Sequence, residues 1–175
     1  MTIPPLPDET VNLPGGVTLF PGQDKALDAI LDDLKDKCPA LFILLAHTSG
    51  QIISLKGERG KADLVALGSL VAGDLAASQE IARLTEQYQN YQMTLREGTQ
   101  SNAFITEAGQ YTVLYVRIDK EVPLGWARLL IKEASRQVAE VIAAKPEELQ
   151  DLDLGLTEER LSSLVGDDLN SIWKS

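Results

Sequence analysis

Leu27, Ile30, Leu31 and Leu34 recur at the three- and four-residue spacing of one helix face, with Asp24 placed to cap the start and Pro39 just beyond the end. This predicts an amphipathic first helix over 24–37. Residues 41–46 are then apolar at every position, as in a strand covered on both faces, whereas 51–56 mix apolar and polar residues. His47-Thr48-Ser49-Gly50 between them reads as a hairpin turn. A long helix follows over 62–84, and then three short strand-like runs at 93–97, 103–107 and 111–118, joined by turns at Gly98-Thr99 and Ala108-Gly109. The last helix of the domain starts after Pro123, carries Ala127, Leu130, Ile131, Ala134, Val138, Val141 and Ile142 on one stripe, and stops before Pro146.

The order α-β-β-α-β-β-β-α describes an α+β domain with one five-stranded antiparallel sheet covered by helices. The first and fifth strands are the most continuously apolar and belong in the middle; the second and third belong at the edges. Residues 1–23 hold Pro4, Pro5, Pro7, Pro14 and Pro21 with three glycines, and read as an arm that adds little to the core. The domain proper is expected over 24–146. In the tail, 147–175, eight acidic residues face two basic ones, so six of the chain's ten excess negative charges lie there. Leu156 and Leu161 around Thr157 have the spacing of a hydrophobic staple and predict a short helix at 158–165. Leu169, Ile172 and Trp173 form a second apolar island and a candidate linear motif.

The long helix carries most of the functional signal. Leu64, Leu67, Leu70, Val71, Leu75 and Ile81 share one broad face on a helical wheel, while Ser69, Ala72, Gly73 and Ala76 lie mostly opposite. From Leu64 to Ser78 the one charged residue is Asp74, so the helix lacks an ordinary solvated side. One sheet covers one side of a helix, and small residues on the other let a second backbone approach. The expectation is a helix packed on its own sheet, on its copy in a second subunit and on a partner protein. Intrachain packing under the arm or tail is the competing explanation. Buried Asp74 would need a hydrogen-bond partner.

A net charge of -10 repels phosphate backbones and anionic headgroups, so neither nucleic acid nor a membrane surface is an expected partner. Met1–Thr10 has neither a basic residue nor an apolar run, which makes a cytoplasmic location the expectation. Cys38 stands alone, which excludes an intrachain disulfide and a multi-cysteine metal cage. Gly57-Glu58-Arg59-Gly60-Lys61 fails the phosphate-loop spacing, and Ala62 has no hydroxyl for magnesium. His47 has no identifiable nucleophile beside it, Cys38 reads as a plain buried thiol, and Asp32, Asp33 and Asp36 as a solvated helix face. Arg59 and Arg128 are weighed as cationic groups for phosphoryl transfer, and ordinary loop and surface charges are the simpler reading. Neither catalytic residues nor a cofactor or metal site are assigned.

Residues 24–143 resemble the Roadblock family, and within it the MglB-type branch. The resemblance rests on residues 41–45 followed by 48–53 as the first hairpin, 69–77 in the long helix, Arg96-Glu97-Gly98 in the third strand and turn, and 124–129 at the opening of the last helix. Residues 167–173 are similar to an acidic-hydrophobic C-terminal helix of that branch. The family is Roadblock-like (profilin-like) in fold. The resemblance implies a homodimer in which long helices and third strands meet, which would place Met93 and Leu95 at the interface with the long helix. It also implies binding to a small Ras-like, MglA-type GTPase, acceleration of GTP hydrolysis without an inserted arginine, and a tail that influences nucleotide exchange. A scaffold subunit without GTPase-activating effect, or a small-ligand sensor on the same frame, are the alternatives. The proline-rich arm, Trp126 and Trp173 depart from the family pattern.

Overall fold

Residues 40–47 are apolar almost throughout because helices cover them from both sides. In the computed structural model, which describes residues 10–13, 17–86 and 93–172, this segment is the strand β3 (Ala40–His47). Ile43 and Leu45 point to a core shared with the first and last long helices, while Phe42, Leu44 and Ala46 point to the other face. The elements are a hairpin of β1 (Val11–Asn12) and β2 (Thr18–Leu19), then α1 (Gln23–Lys37), β3, β4 (Ile52–Gly57) and α2 (Leu64–Leu84). They continue as β5 (Met93–Glu97), β6 (Ser101–Glu107), β7 (Thr112–Asp119), α3 (Leu124–Ala143), a 3-10 turn (Pro146–Asp151) and α4 (Glu158–Ile172).

The sheet has the order β4-β3-β7-β6-β5, antiparallel throughout. β3 and β7 are central and β4 and β5 lie at the edges, as the hydrophobic pattern predicts. The two-residue alternation of β7 sends Leu114, Val116 and Ile118 toward α1 and α3, and Val113 and Tyr115 toward α2. Helices therefore lie in layers on both sides of one sheet: two on one face, α2 alone on the other.

Several local expectations change. The cap of α1 is Gly22 at φ 96°, not Asp24, whose carboxylate instead accepts the Gly22 N–H at 3.1 Å from within the first turn. Gln23 takes over the anchoring. Its Oε1 accepts the Phe20 N–H at 2.6 Å, and its Nε2 donates to the carbonyls of Val141 and Ala144 at the far end of α3. The arm also contributes more than its composition implies: Leu13 and Leu19 are buried in the α1–α3 core. A two-residue strand pair suffices to turn these side chains inward, which a count of prolines does not reveal.

The tail is likewise tied down. Leu156 and Leu161 are core residues, and polar side chains clamp the backbone between them and α3. Asp33 accepts the Leu156 N–H at 2.6 Å and Lys37 donates to its carbonyl at 2.7 Å, so Asp33 is a docking group as well as a surface charge. Gln137 of α3 bonds both the N–H and the carbonyl of Gly155. Glu133, almost fully buried, receives Arg136 and Gln137 and lies 3.4 Å from Arg160 of α4. α4 runs to Ile172, well beyond the expected 158–165, because this clamp supplies a fixed origin that local spacing does not encode.

Two tests follow from this packing. A Cβ built on Gly68 of α2 would lie 2.5 Å from the Gly50 carbonyl oxygen. Gly68→Ala should therefore lower the unfolding free energy in urea by about 1–3 kcal/mol, despite a gain of ~1 kcal/mol in helix propensity. Unchanged or greater stability would remove this close approach from the account. Burial alone would raise the Glu133 carboxyl, but the hydrogen bonds from Arg136 and Gln137 and the charges of Arg136 and Arg160 hold it below the usual range. A lowered folded value means its contribution is complete above the unfolded glutamate value of about 4.3 and is lost as pH falls through the folded one. The stability difference between wild type and Glu133→Gln should shrink on acidification from neutral pH to below that value; a pH-independent difference would contradict the clamp.

Candidate interaction surface

How α2 is rolled about its axis decides which of its apolar residues remain free. The helix starts on Asp63, whose carboxylate accepts the N–H groups of Val65 and Ala66 at 3.0 and 3.2 Å. Its first turns rest on the β3–β4 turn, where the absence of a side chain on Gly68 admits the Gly50 carbonyl. Gly68, Val71, Ala72 and Leu75 are buried against the sheet, and Leu64 and Leu67 are half-buried beside them. By length and mean hydropathy alone α2 would reach across a bilayer. In the fold its apolar content is divided between this core side and a free flank.

The free flank carries Val65, Leu70, Ile81 and Leu84 at 74, 71, 62 and 67% exposure. Between them lie exposed Ala66, Ser69, Gly73, Ala76 and Ala77. The expected division into a bulky inner face and a small outer face is thus replaced by a mixture on both. Ala72 belongs to the core together with Val71 and Leu75, and Leu70 belongs to the free flank with Ser69, Gly73 and Ala76. The reason is steric: the tightest approach is made inside the chain, at Gly68, and the rest of the helix follows that roll. Val65, Leu84 and Ala77 are additions to the expected interface residues. The signal that finds them is their spacing of three to five residues from Leu70 and Ile81 once Gly68 is taken as inward.

Asp74 finds a partner for one of its two carboxylate oxygens. Its Oδ1 is bonded by Arg96 of β5, and Ser78 and Thr94 make a second link between the same two elements at 3.3 Å. α2 therefore runs from the β3–β4 turn toward the edge strand, and Thr94 and Arg96 face it. Met93 and Leu95 point to the opposite face of the sheet, where they line a pit of about 190 Å³ with Phe104, Leu124 and Arg128. The structure thus brings the expected residues to one sheet edge, but on two faces of it. Among the described residues no strand pairs with the outer side of β5. Of the expected tail motif, the backbone of Leu169 and Ile172 is in α4, and their side chains and Trp173 lie outside the described residues.

The groups weighed for chemistry are quiet ones. Burial pushes the Cys38 thiol up to about 11, opposite to what a nucleophile requires. His47 is buried, its pKa lowered by desolvation, and its Nδ1 accepts the Ser49 N–H at 3.0 Å to brace the turn beneath α2. A cleft of about 570 Å³ lies between α3, α4 and the β6–β7 turn, and two of its charged groups, Glu133 and Arg136, are bound to each other. Arg59 stands in an exposed loop at the start of α2, adjoining the free flank.

No protein-family model matches the chain, and no curated protein matches it. Solved structures do. MglB of Myxococcus xanthus is 28% identical, with a TM-score of 0.65 over 73% of this chain and 98% of that one. The gliding protein MglB of Thermus thermophilus is 26% identical, with a TM-score of 0.64 over 71% of this chain and 93% of that one. A Roadblock/LC7 domain from Streptomyces avermitilis, 15% identical, shares the fold at a TM-score of 0.52 over 70% of this chain and 97% of its own. With its five-stranded antiparallel sheet and helices on both faces, this chain has the Roadblock-type fold, and its similarity to the two MglB structures supports a place in a Roadblock/MglB-type family.

Proposed function

We propose that this chain is a non-enzymatic, homodimeric adaptor that binds a small Ras-like GTPase of the MglA type in the cytoplasm and stimulates its GTP hydrolysis. The observation that carries the reading is the free flank of α2, four large apolar side chains left in water beside small ones on a helix whose other side is core. A contiguous apolar flank of this kind on a folded domain marks an interaction site. Similarity to MglB over nearly the whole length of those chains supports the choice of partner class.

The magnitudes favour a reversible regulator with a composite surface. Burying Val65, Leu70, Ile81 and Leu84 at about 1.5–3 kcal/mol each is worth roughly 6–12 kcal/mol gross. Association itself costs about 4–15 kcal/mol. The flank alone therefore gives at best a moderate complex, and the open β5 edge has to share the work by pairing two copies. In this reading hydrolysis is accelerated by reshaping the GTPase's own catalytic groups, and Arg59 remains a loop charge.

Leu70→Asp places a charge in the middle of the flank without touching the core. Stimulated GTP hydrolysis by an MglA-type GTPase should fall at least ~10-fold, the effect of losing about 1.4 kcal/mol of binding, while the thermal midpoint stays within the range of a surface substitution. Full stimulation by this variant would exclude the α2 flank as the GTPase site.

A further inference from the structure

His47 ends β3 and opens the turn that seats α2, and it is the one histidine in the chain. The residue is 3% exposed. Its Nδ1 accepts the Ser49 N–H at 3.0 Å and lies 2.8 Å from the Ser49 hydroxyl. A backbone N–H can only donate, so Nδ1 has to be the bare nitrogen and Nε2 has to carry the ring proton. That Nε2 is buried and has no hydrogen-bond partner among the described residues. An asparagine makes the same turn when its side-chain oxygen takes the N–H two residues on; here an imidazole does so. The contact that this turn supports has little slack. Gly50 sits at φ 90°, and a Cβ on it would lie 2.9 Å from the Ser69 Cα. The β3–β4 ladder is irregular just before the turn, between Leu45 and Ala46. A further tie runs to the β6–β7 turn, from the Thr48 N–H to the Tyr111 carbonyl at 2.9 Å.

We infer that His47 is a proton-operated latch on the seat of α2: a second proton on its ring breaks the hold on Ser49, loosens the Gly50–Gly68 contact and weakens presentation of the α2 flank. This rests on the reading of that flank as the GTPase site and adds a means of controlling it. On protonation Nδ1 acquires an N–H that faces the Ser49 N–H, donor against donor. The Ser49 hydroxyl can turn to accept the new proton, but the backbone N–H cannot, so its bond is lost. The elements packed on the turn bring Gln51 of its far end, Thr112 of β7, Gly68 and Ser69 of α2, and Tyr111, whose ring centroid lies 6.2 Å from that of His47. Tyr111 is the one titratable side chain among these and none is charged, so no carboxylate balances an imidazolium here. Burial alone lowers the pKa of the ring. An opened or unfolded His47 titrates at about 6.5. Because the folded value lies below that, the neutral ring contributes fully above about 6.5, and the contribution is lost as pH falls from there through the folded value. Opening of the turn therefore rises by up to ~10-fold per pH unit in this window, the limit for one proton.

His47→Asn separates the latch from the fold, because an asparagine oxygen takes the Ser49 N–H and does not titrate. In NMR spectra of the full-length chain the His47 ring should titrate in one step below its ordinary value, and the Ser49 and Gly68 amide signals should move with it. Between about pH 7 and about pH 5.5 histidine is the side chain that changes charge while ordinary carboxylates stay ionised. Over that range the wild-type chain should lose stability in urea, and His47→Asn should lose less. Stimulation of an MglA-type GTPase should drop at least ~3-fold further for wild type than for the variant, within the one-proton limit; pairing the two on the same GTPase cancels its own titration. A ring that titrates at or above the ordinary value, amides that ignore it, or an identical pH response in His47→Asn overturns the latch. Equal stimulation at both pH values with the amide titration intact removes its control of the flank. Stimulation absent at neutral pH from wild type and variant alike, with the amide titration intact, removes the GTPase reading and leaves the latch on the seat standing.

Discussion

The close seat of α2 on the β3–β4 turn is the constraint on which the functional surface depends. A helix whose residues are apolar on nearly every side has no preferred roll of its own. Here the roll is set where the Gly50 carbonyl fills the space that a side chain on Gly68 would occupy. His47, holding the Ser49 N–H, keeps that turn in shape from below. Once those two backbones are in contact, Val71, Ala72 and Leu75 have to face the sheet, and Leu70, Ile81 and Leu84 have to face water. The exposed flank is thus a consequence of one steric contact near the start of the helix.

Midway along α2 a charge performs the corresponding task. Asp74 is the one acidic residue in an otherwise uncharged stretch, and burial without a partner would be costly. Arg96 meets it from β5, so the edge strand is held under the helix, and among the described residues no strand pairs with its outer side. Exposed edges of this kind usually carry some device against uncontrolled pairing. On β4 the device is Lys56, bound by Asp28 and Asp32 of α1. On β5 the charge of Arg96 is bound by Asp74 of α2.

The opposite face of the sheet is the stable side of the molecule. α1 and α3 bury the larger core, and the arm and tail are drawn into it through Leu13, Leu19, Leu156 and Leu161. Glu133 gathers Arg136, Gln137 and Arg160 around one buried carboxylate, and a buried charge is tolerated only when its partners are complete. This network, with Gln137 and Asp33 on the tail backbone, gives α4 a fixed point of departure. A clamped face and a free apolar flank thus sit on opposite sides of a single sheet.

The sequence by itself determined the element order between residues 24 and 143, the central and edge strands and the existence of an unusually apolar helix with a single acid between Leu64 and Ser78. Those features are local: periodicity, turn chemistry and continuous apolar runs act over a few residues, and 41–46 or 124–143 admit one reading each. It also held the resemblance to the Roadblock family in the order of its short motifs. What only the tertiary structure decided is which side of α2 is free, because a helical wheel sorts bulk from smallness but cannot know that Gly68 meets Gly50. The same holds for Asp74 and Arg96, for Glu133 and Arg160, and for the burial of Leu13 and Leu156. In each of these cases the deciding contact joins residues far apart along the chain, and such contacts exist only after the chain has folded.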